Sequence, residues 1–367
     1  MNHYLIQIIE VFVIGLVVAA VATPISIKVA NKFDIIDRPR EDRKIHDRPI
    51  PRFGGMAIAI GTLVAMILPA SEFSSIKTAM IGGVMMYILG ALDDIYNLKP
   101  LIKFAGQIVV ATVVYFLGVK ISFIGHLYSF STSNADANYM LNSVLAYLVT
   151  VLWIVGITNA VNLMDGMDGL AAGSTAIIAL SLAYVAYIHG SRIGSMSVCV
   201  ALAAVAGGCM GFLPFNFSPA KTFMGDGGSL FLGYMIAVLS VISPLKRATM
   251  VGAVIPILSL AVPIFDTLFA IVRRIVRKQS IMEADKEHLH HHLMAAGFGQ
   301  RRSVLVMYGI VGIMGVVAVL ISRELYKDAV FLALIALLYL VIIIVPKQPE
   351  KRLQEHIEQR KKENEKG

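Results

Sequence analysis

Eleven separate stretches of this chain are apolar for about as long as a bilayer is thick, and they decide what it can fold into. They are 4–30, 54–70, 76–92, 101–118, 141–158, 169–188, 195–213, 228–243, 248–272, 303–321 and 328–345. A helix needs roughly 20 apolar residues to cross the hydrocarbon, and in lipid an isolated helix satisfies its own backbone donors and acceptors. The expectation is an all-α, polytopic integral membrane protein with about eleven transmembrane helices. Composition agrees. Apolar residues make up 57% and charged residues only 15%, where a soluble domain carries about 25% charged. The opening MNHYLIQ has no lysine or arginine, so the first stretch is expected to stay as a span rather than be removed as a signal peptide.

The net charge of +8 would by itself suit nucleic acid, but its placement argues for a membrane. Assigning alternate gaps to opposite sides puts 24 lysines and arginines on one side and 7 on the other. The rich side is then cytoplasmic, with the N-terminus outside and the C-terminus inside. No nucleic-acid partner is expected. Residues 1–346 read as a single membrane-embedded domain, and 347–367 as a charged cytoplasmic tail in solvent or on the membrane surface. Cys199 and Cys209 lie in one span. They are about 15 Å apart on a helix, too far for a disulfide, and read as packing residues.

The polar chemistry is also one-sided. Outer gaps such as ASEFSS and SRELYK are bland, while the inner gaps hold nearly all the carboxylates, amides and histidines. A carrier would place such groups near the midplane, in broken helices. Gathered on one face, they suit a membrane-embedded enzyme that draws on a cytoplasmic substrate. An ion-coupled secondary transporter is the alternative of a different class, although no internal repeat relates the two halves.

Five inner gaps carry the detail. In LDDIYNLKP, Asp93 and Asp94 end the third span, where a helix C-terminus disfavours negative charge. A metal ion or a basic residue is expected beside them. Lys103 is the candidate neighbour, its alternative being a snorkelling interfacial lysine. In TNAVNLMDGMDGLAAG, Asn159 and Asn162 share a face if the helix continues through them, and Asp165 and Asp168 follow at the same spacing. The alternative for Asp168 is to N-cap the sixth helix.

In KTFMGDGGSLFLG, Asp226 is either an N-cap or a ligand for a hard Mg²⁺, which takes one or two carboxylates and is completed by water and phosphates. Asn162 would join it. The glycines leave backbone N–H groups at a helix start open to an anion, and Phe223 is placed to stack on a base or to be an ordinary interfacial aromatic. In EHLHHHL, His288 and His292 have the spacing of a zinc pair, but the surrounding arginines and lysines favour a polyphosphate, to which His288, His290 and His291 are assigned. RKIHDRPIPRFGG adds Lys44, His46 and Arg52.

Taken together and in order, RPIPRFGG, DDIYNLKP, NAVNLMDGMDGLAAG, FMGDGGSL and HLHHH resemble the polyprenyl-phosphate N-acetylhexosamine-1-phosphate transferases. The likeness extends over roughly residues 30 to 300. It implies that Asp226 and Asn162 hold Mg²⁺, with Mn²⁺ as a substitute, against the donor pyrophosphate. Asp93 and Asp94 would form an acidic pair beside the reacting phosphates, and Lys103 would contact phosphate oxygens. Asp168 and Phe223 would lie near uridine, and the histidines would close over the donor. IPRFGG and Asn97 depart from the pentapeptide translocases, which carry TPTMGG and a lysine there, and the histidine stretch followed by AAGFGQRR resembles the N-acetylglucosamine branch.

The reaction so implied passes N-acetylglucosamine 1-phosphate from UDP-N-acetylglucosamine to undecaprenyl phosphate, releases UMP, and opens a cell-wall or surface-polysaccharide pathway. UDP-N-acetylmuramoyl-pentapeptide or another UDP-N-acetylhexosamine is the alternative donor. Direct attack by the acceptor phosphate is preferred over an aspartyl intermediate. A homodimer in the cytoplasmic membrane is the further implication.

Overall fold

The structure is a computed structural model that describes residues 2–38, 49–70, 74–121, 135–189, 195–242, 257–258, 260–276, 293–294 and 298–344. The helices in chain order are α1 (Asn2–Lys32), α2 (Gly55–Ala70), α3 (Ser74–Tyr96), α4 (Pro100–Phe116), α5 (Ala135–Met164) and α6 (Leu170–Ile188). They continue with α7 (Ser195–Asn216), α8 (Gly225–Ile242), α9 (Ala261–Val276), α10 (Gln300–Ser322) and α11 (Tyr326–Ile344). Each falls on one of the apolar stretches. Seven of them, α1, α3, α5, α6, α7, α8 and α10, are long and apolar enough to cross a membrane. The chain is an all-α, multi-pass membrane protein. The one departure among the described residues is a two-stranded ribbon, β1 (Ile36–Asp37) antiparallel to β2 (Ile50–Pro51).

Burial orders the bundle. The apolar window of α8 is 89% buried and that of α1 only 22%, so α8 is the central post and α1 an outer one. α8 packs on α3, α5 and α2, while α1 packs on α7 and α2, and α6 on α7 and α10. Ile6, Ile9, Val13, Val17 and Val21 remain exposed at helical spacing on α1, a stripe suited to lipid. α2 approaches α8 closely because both contribute glycine. A Cβ on Gly55 would lie 2.2 Å from the Gly228 nitrogen, a distance that real side chains do not reach.

Two local features set up the polar end. α3 stops where Asn97 turns into the left-handed region (φ 49°), and α4 restarts with Pro100 in its first turn, where a missing N–H costs nothing. The segment after β2 is then zipped to the approach to α8. Phe223 N donates to Pro51 O at 2.8 Å, Gly54 N to Phe223 O at 2.9 Å and Gly55 N to Met224 O at 2.9 Å. This ladder carries Arg52 to the start of α8.

Candidate active site

Three carboxylates and two cations meet where α3, α4, α5 and α8 end on one side of the bundle. Asp94 is the buried hub, its side chain 1% exposed. Its two oxygens accept from Asp226 N at 2.8 Å and Gly227 N at 2.9 Å. The backbone donors that the glycine-rich sequence was expected to offer to an outside anion are therefore already taken by an anion of the chain itself. A carboxylate at a helix N-terminus is well placed, and this one caps α8 from another helix. Asp226 is accordingly not an N-cap: it lies in the first turn.

Asp93 ties α3 to α4. Its Oδ1 accepts from Leu98 N at 2.8 Å and its Oδ2 from Lys103 Nζ at 3.0 Å. Lys103 also reaches Asp226 Oδ1 at 3.1 Å, so the basic neighbour expected beside the acidic pair is present. Asp226 Oδ1 further accepts from Asn162 Nδ2 at 2.6 Å, and the same amide donates to Ser229 Oγ at 2.7 Å. Arg52 closes the cluster. Its Nε lies 3.1 Å from Asp94 Oδ1, and its Nη2 donates to Asp226 Oδ2 at 2.9 Å. Burial alone would lower the Arg52 guanidinium, but attraction to Asp94, Asp226, Asp37 and Asp165 holds it above its ordinary value.

The cluster borders a 910 Å³ cleft whose lining includes Arg52, Asp94, Asn162, Asp165, Phe223 and Asp226. Asp165 lies between α5 and α6. Burial, reinforced by Asp226, Asp94 and Asp168 and opposed by Arg52, holds its carboxyl well above the carboxylate range. Asp168 also faces the cleft, and its Oδ2 accepts from Ala220 N at 3.0 Å. The N-cap of α6 is Gly169 and not Asp168. Phe33 to Arg38 also line the cleft, a segment that sequence reasoning passed over.

Asn159 and Asn162 do share α5, which runs on to Met164, but they part company. Asn159 exchanges amide hydrogen bonds with buried Gln107 and donates to Val155 O at 2.8 Å. It is absent from the cleft lining and braces α5 against α4. Lys44, His46, His288, His290 and His291 lie outside the described residues.

Asn216 was also missed. It is buried, its Oδ1 accepts from Gly169 N at 3.1 Å, and its Nδ2 donates to Thr222 O at 2.9 Å, so it fastens the loop before α6 to the loop before α8. Substituting Asn216→Ala strands both backbone groups. The expected result is a loss of about 1–3 kcal/mol, read as a lower midpoint in thermal unfolding of the purified protein.

The donor set suits a divalent cation only with help. Among the described residues no group of three His, Cys, Asp or Glu side chains is arranged to hold a metal. Asp226 and the Asn162 amide give few oxygens. That fits Mg²⁺, which keeps waters and borrows phosphate oxygens from its substrate, and does not fit a closed protein cage.

An acidic and basic cluster at the end of a bundle, bordering a 910 Å³ cleft, suits phosphate chemistry at a membrane, and comparison with known proteins supplies the family. Residues 76–244 match the family described as "Glycosyl transferase family 4". A Bacillus subtilis (strain 168) protein named "Probable undecaprenyl-phosphate N-acetylglucosaminyl 1-phosphate transferase" is 41% identical over 94% of this chain and 93% of its own. The "Decaprenyl-phosphate N-acetylglucosaminephosphotransferase" of Mycolicibacterium smegmatis is 35% identical over 78% and 75%. A "Phospho-N-acetylmuramoyl-pentapeptide-transferase" of Bacillus subtilis (strain 168) is 30% identical over 80% and 91%. The chain belongs to this family of polyprenyl-phosphate phosphosugar transferases.

Proposed function

We propose that this protein transfers N-acetylglucosamine 1-phosphate from UDP-N-acetylglucosamine to undecaprenyl phosphate, with Mg²⁺, and so begins a surface or cell-wall polysaccharide. The observation that carries the reading is the convergence of Asp93, Asp94, Asp226, Lys103 and Arg52 in one cluster, of which Arg52, Asp94 and Asp226 line the cleft. Two relatives named for N-acetylglucosamine, at 41% and 35% identity, are more similar to this chain than the Bacillus subtilis pentapeptide transferase at 30%.

In this reading the donor lies along the cleft, with uracil against Phe223 and Asp168 and the pyrophosphate toward Asp226. An oxygen of the acceptor phosphate attacks the β-phosphorus. The new P–O bond forms as the bond to the oxygen bridging to UMP breaks, and UMP leaves with that oxygen. Asp226 and Asn162 would hold Mg²⁺, which would supply positive charge against that developing on the departing UMP. Lys103 holds phosphate oxygens, and Asp93 holds Lys103. The acceptor's second pKa is near about 6, so most of it is already dianionic and no strong base is required. Lys44, His46, His288, His290 and His291 would add contacts to the donor. The same reading has eleven spans, the N-terminus outside, the cleft and C-terminus on the cytoplasmic face of the cell's own membrane, and a homodimer.

The test is UMP release by purified protein supplied with undecaprenyl phosphate and Mg²⁺, comparing UDP-N-acetylglucosamine with UDP-N-acetylmuramoyl-pentapeptide. Release from the first alone is expected. Release from the second alone would keep the chemistry and overturn the sugar.

A further inference from the structure

The oxygens of Asp226 are crowded. Oδ1 takes Asn162 at 2.6 Å and Lys103 at 3.1 Å, and Oδ2 takes Arg52 at 2.9 Å. A divalent cation cannot share an oxygen closely with a guanidinium, since like charges at that range repel strongly in a part-buried site. For Asp226 to become a ligand, one of its partners has to leave.

The three are not equally free to go. Asn162 is also fixed by Ser229. Lys103 is also bound to Asp93, and its side chain is 18% exposed. Arg52 is the most open of the cations at 33%, and it stands on the cleft wall. Its departure also orphans least. Asp94, its second partner, keeps two backbone donors, Asp226 N and Gly227 N, and Asp226 keeps Lys103 and Asn162. A planar guanidinium that leaves a carboxylate finds an equal partner in a phosphate, which it meets with the same two-pronged geometry.

We infer that Arg52 is a placeholder cation: it occupies the open oxygen of Asp226 until the pyrophosphate of a nucleotide sugar draws it away, so that metal enters with the donor and not before it. The inference rests on the donor and Mg²⁺ reading of the preceding section and adds a coupling to it. It accounts for two features at once, the absence of a preformed three-carboxylate cage among the described residues and the presence of a part-buried acid paired with two cations. Arg52 is thus a positioning residue for the metal as well as a contact for the donor.

The test is the affinity for Mn²⁺, read by electron paramagnetic resonance of free Mn²⁺. It uses the full-length protein in detergent, with and without UDP-N-acetylglucosamine, corrected for Mn²⁺ bound by the nucleotide sugar in buffer. Wild type is expected to bind Mn²⁺ weakly alone and on the order of tenfold more tightly with donor. Arg52→Gln is expected to bind Mn²⁺ tightly without donor and to gain less than about twofold from it. Arg52→Lys, a point charge without the fork, should still oppose metal alone but lose affinity for the donor. Equal affinities for wild type and Arg52→Gln, with the same donor dependence, would overturn the inference and leave the metal site standing. No Mn²⁺ binding by either protein under any condition would overturn the inference and the Mg²⁺ reading together. Thermal unfolding checks that the variants are folded. Should Arg52→Gln fail that check, a wild-type affinity indifferent to donor overturns the inference unaided.

Discussion

Asp226→Asn is expected to reduce UMP release by about a thousandfold or more while the protein still folds. The substitution keeps the shape of the side chain and removes only its charge. In the native site that charge balances Arg52 at 2.9 Å and Lys103 at 3.1 Å, and it is the one carboxylate of the cluster that faces the cleft without also being a backbone cap. Asp94 caps α8, and Asp93 is bound to Leu98 N and Lys103, so neither can take over without dismantling the corner. An amide at position 226 still accepts from Asn162, which protects the fold. It leaves two cations beside each other and gives a divalent ion a far weaker ligand. Removal of one preorganised electrostatic group typically costs 10²–10³ in rate, and here the same change also removes the proposed metal ligand. The measurement is UMP release beside a thermal melt. Near-wild-type turnover in a folded Asp226→Asn protein would move the metal to another residue.

Much of this was legible from the sequence because lipid leaves so few choices. Apolar length marked the helices, and α1 to α11 fall where the windows lie. Asp93, Asp94, Lys103, Asn162 and Asp226 stood out because charged and amide side chains at the edge of a membrane span are costly and have to be matched. What stayed hidden was partnership across the chain. Nothing in GDGG says that its open N–H groups are filled by Asp94, 132 residues away. Asn159 and Asn162 look alike in sequence, and only packing turns one toward Gln107 and the other toward Asp226. Signals did exist for two of the residues passed over. Gln107 lies one turn beyond Lys103 on α4, and Ser229 lies three residues beyond Asp226 on α8, each on the face already marked as polar. Asn216 is the last residue of α7, and the wall from Phe33 to Arg38 holds only the two-residue β1, so no period points to either.

Gly90→Ala is expected to damage stability and catalysis together, because the cluster depends on how closely α3 passes the start of α8. A Cβ at position 90 would lie 2.3 Å from the Asp226 carbonyl oxygen, 2.5 Å from its carbon and 2.6 Å from Gly227 N. All three are backbone atoms, so no side-chain rotation relieves the overlap and the helices have to separate. Asp93 and Asp94 lie one turn further along α3, and the Asp94 cap on Asp226 N and Gly227 N at 2.8 and 2.9 Å cannot survive a displacement of that size unchanged. Overpacking alone costs about 1–3 kcal/mol, and a shift of about 1 Å at reacting groups costs on the order of 10² in rate. Gly156→Ala is the matched control: no atom lies within 4 Å of a Cβ there, and in a helix alanine is favoured over glycine by up to about 1 kcal/mol. It should melt at or slightly above wild type and release UMP at the wild-type rate. A Gly90→Ala protein that behaves like its control would mean that α3 and the start of α8 do not pass at this distance, and the acid cluster built on that approach would fall with it.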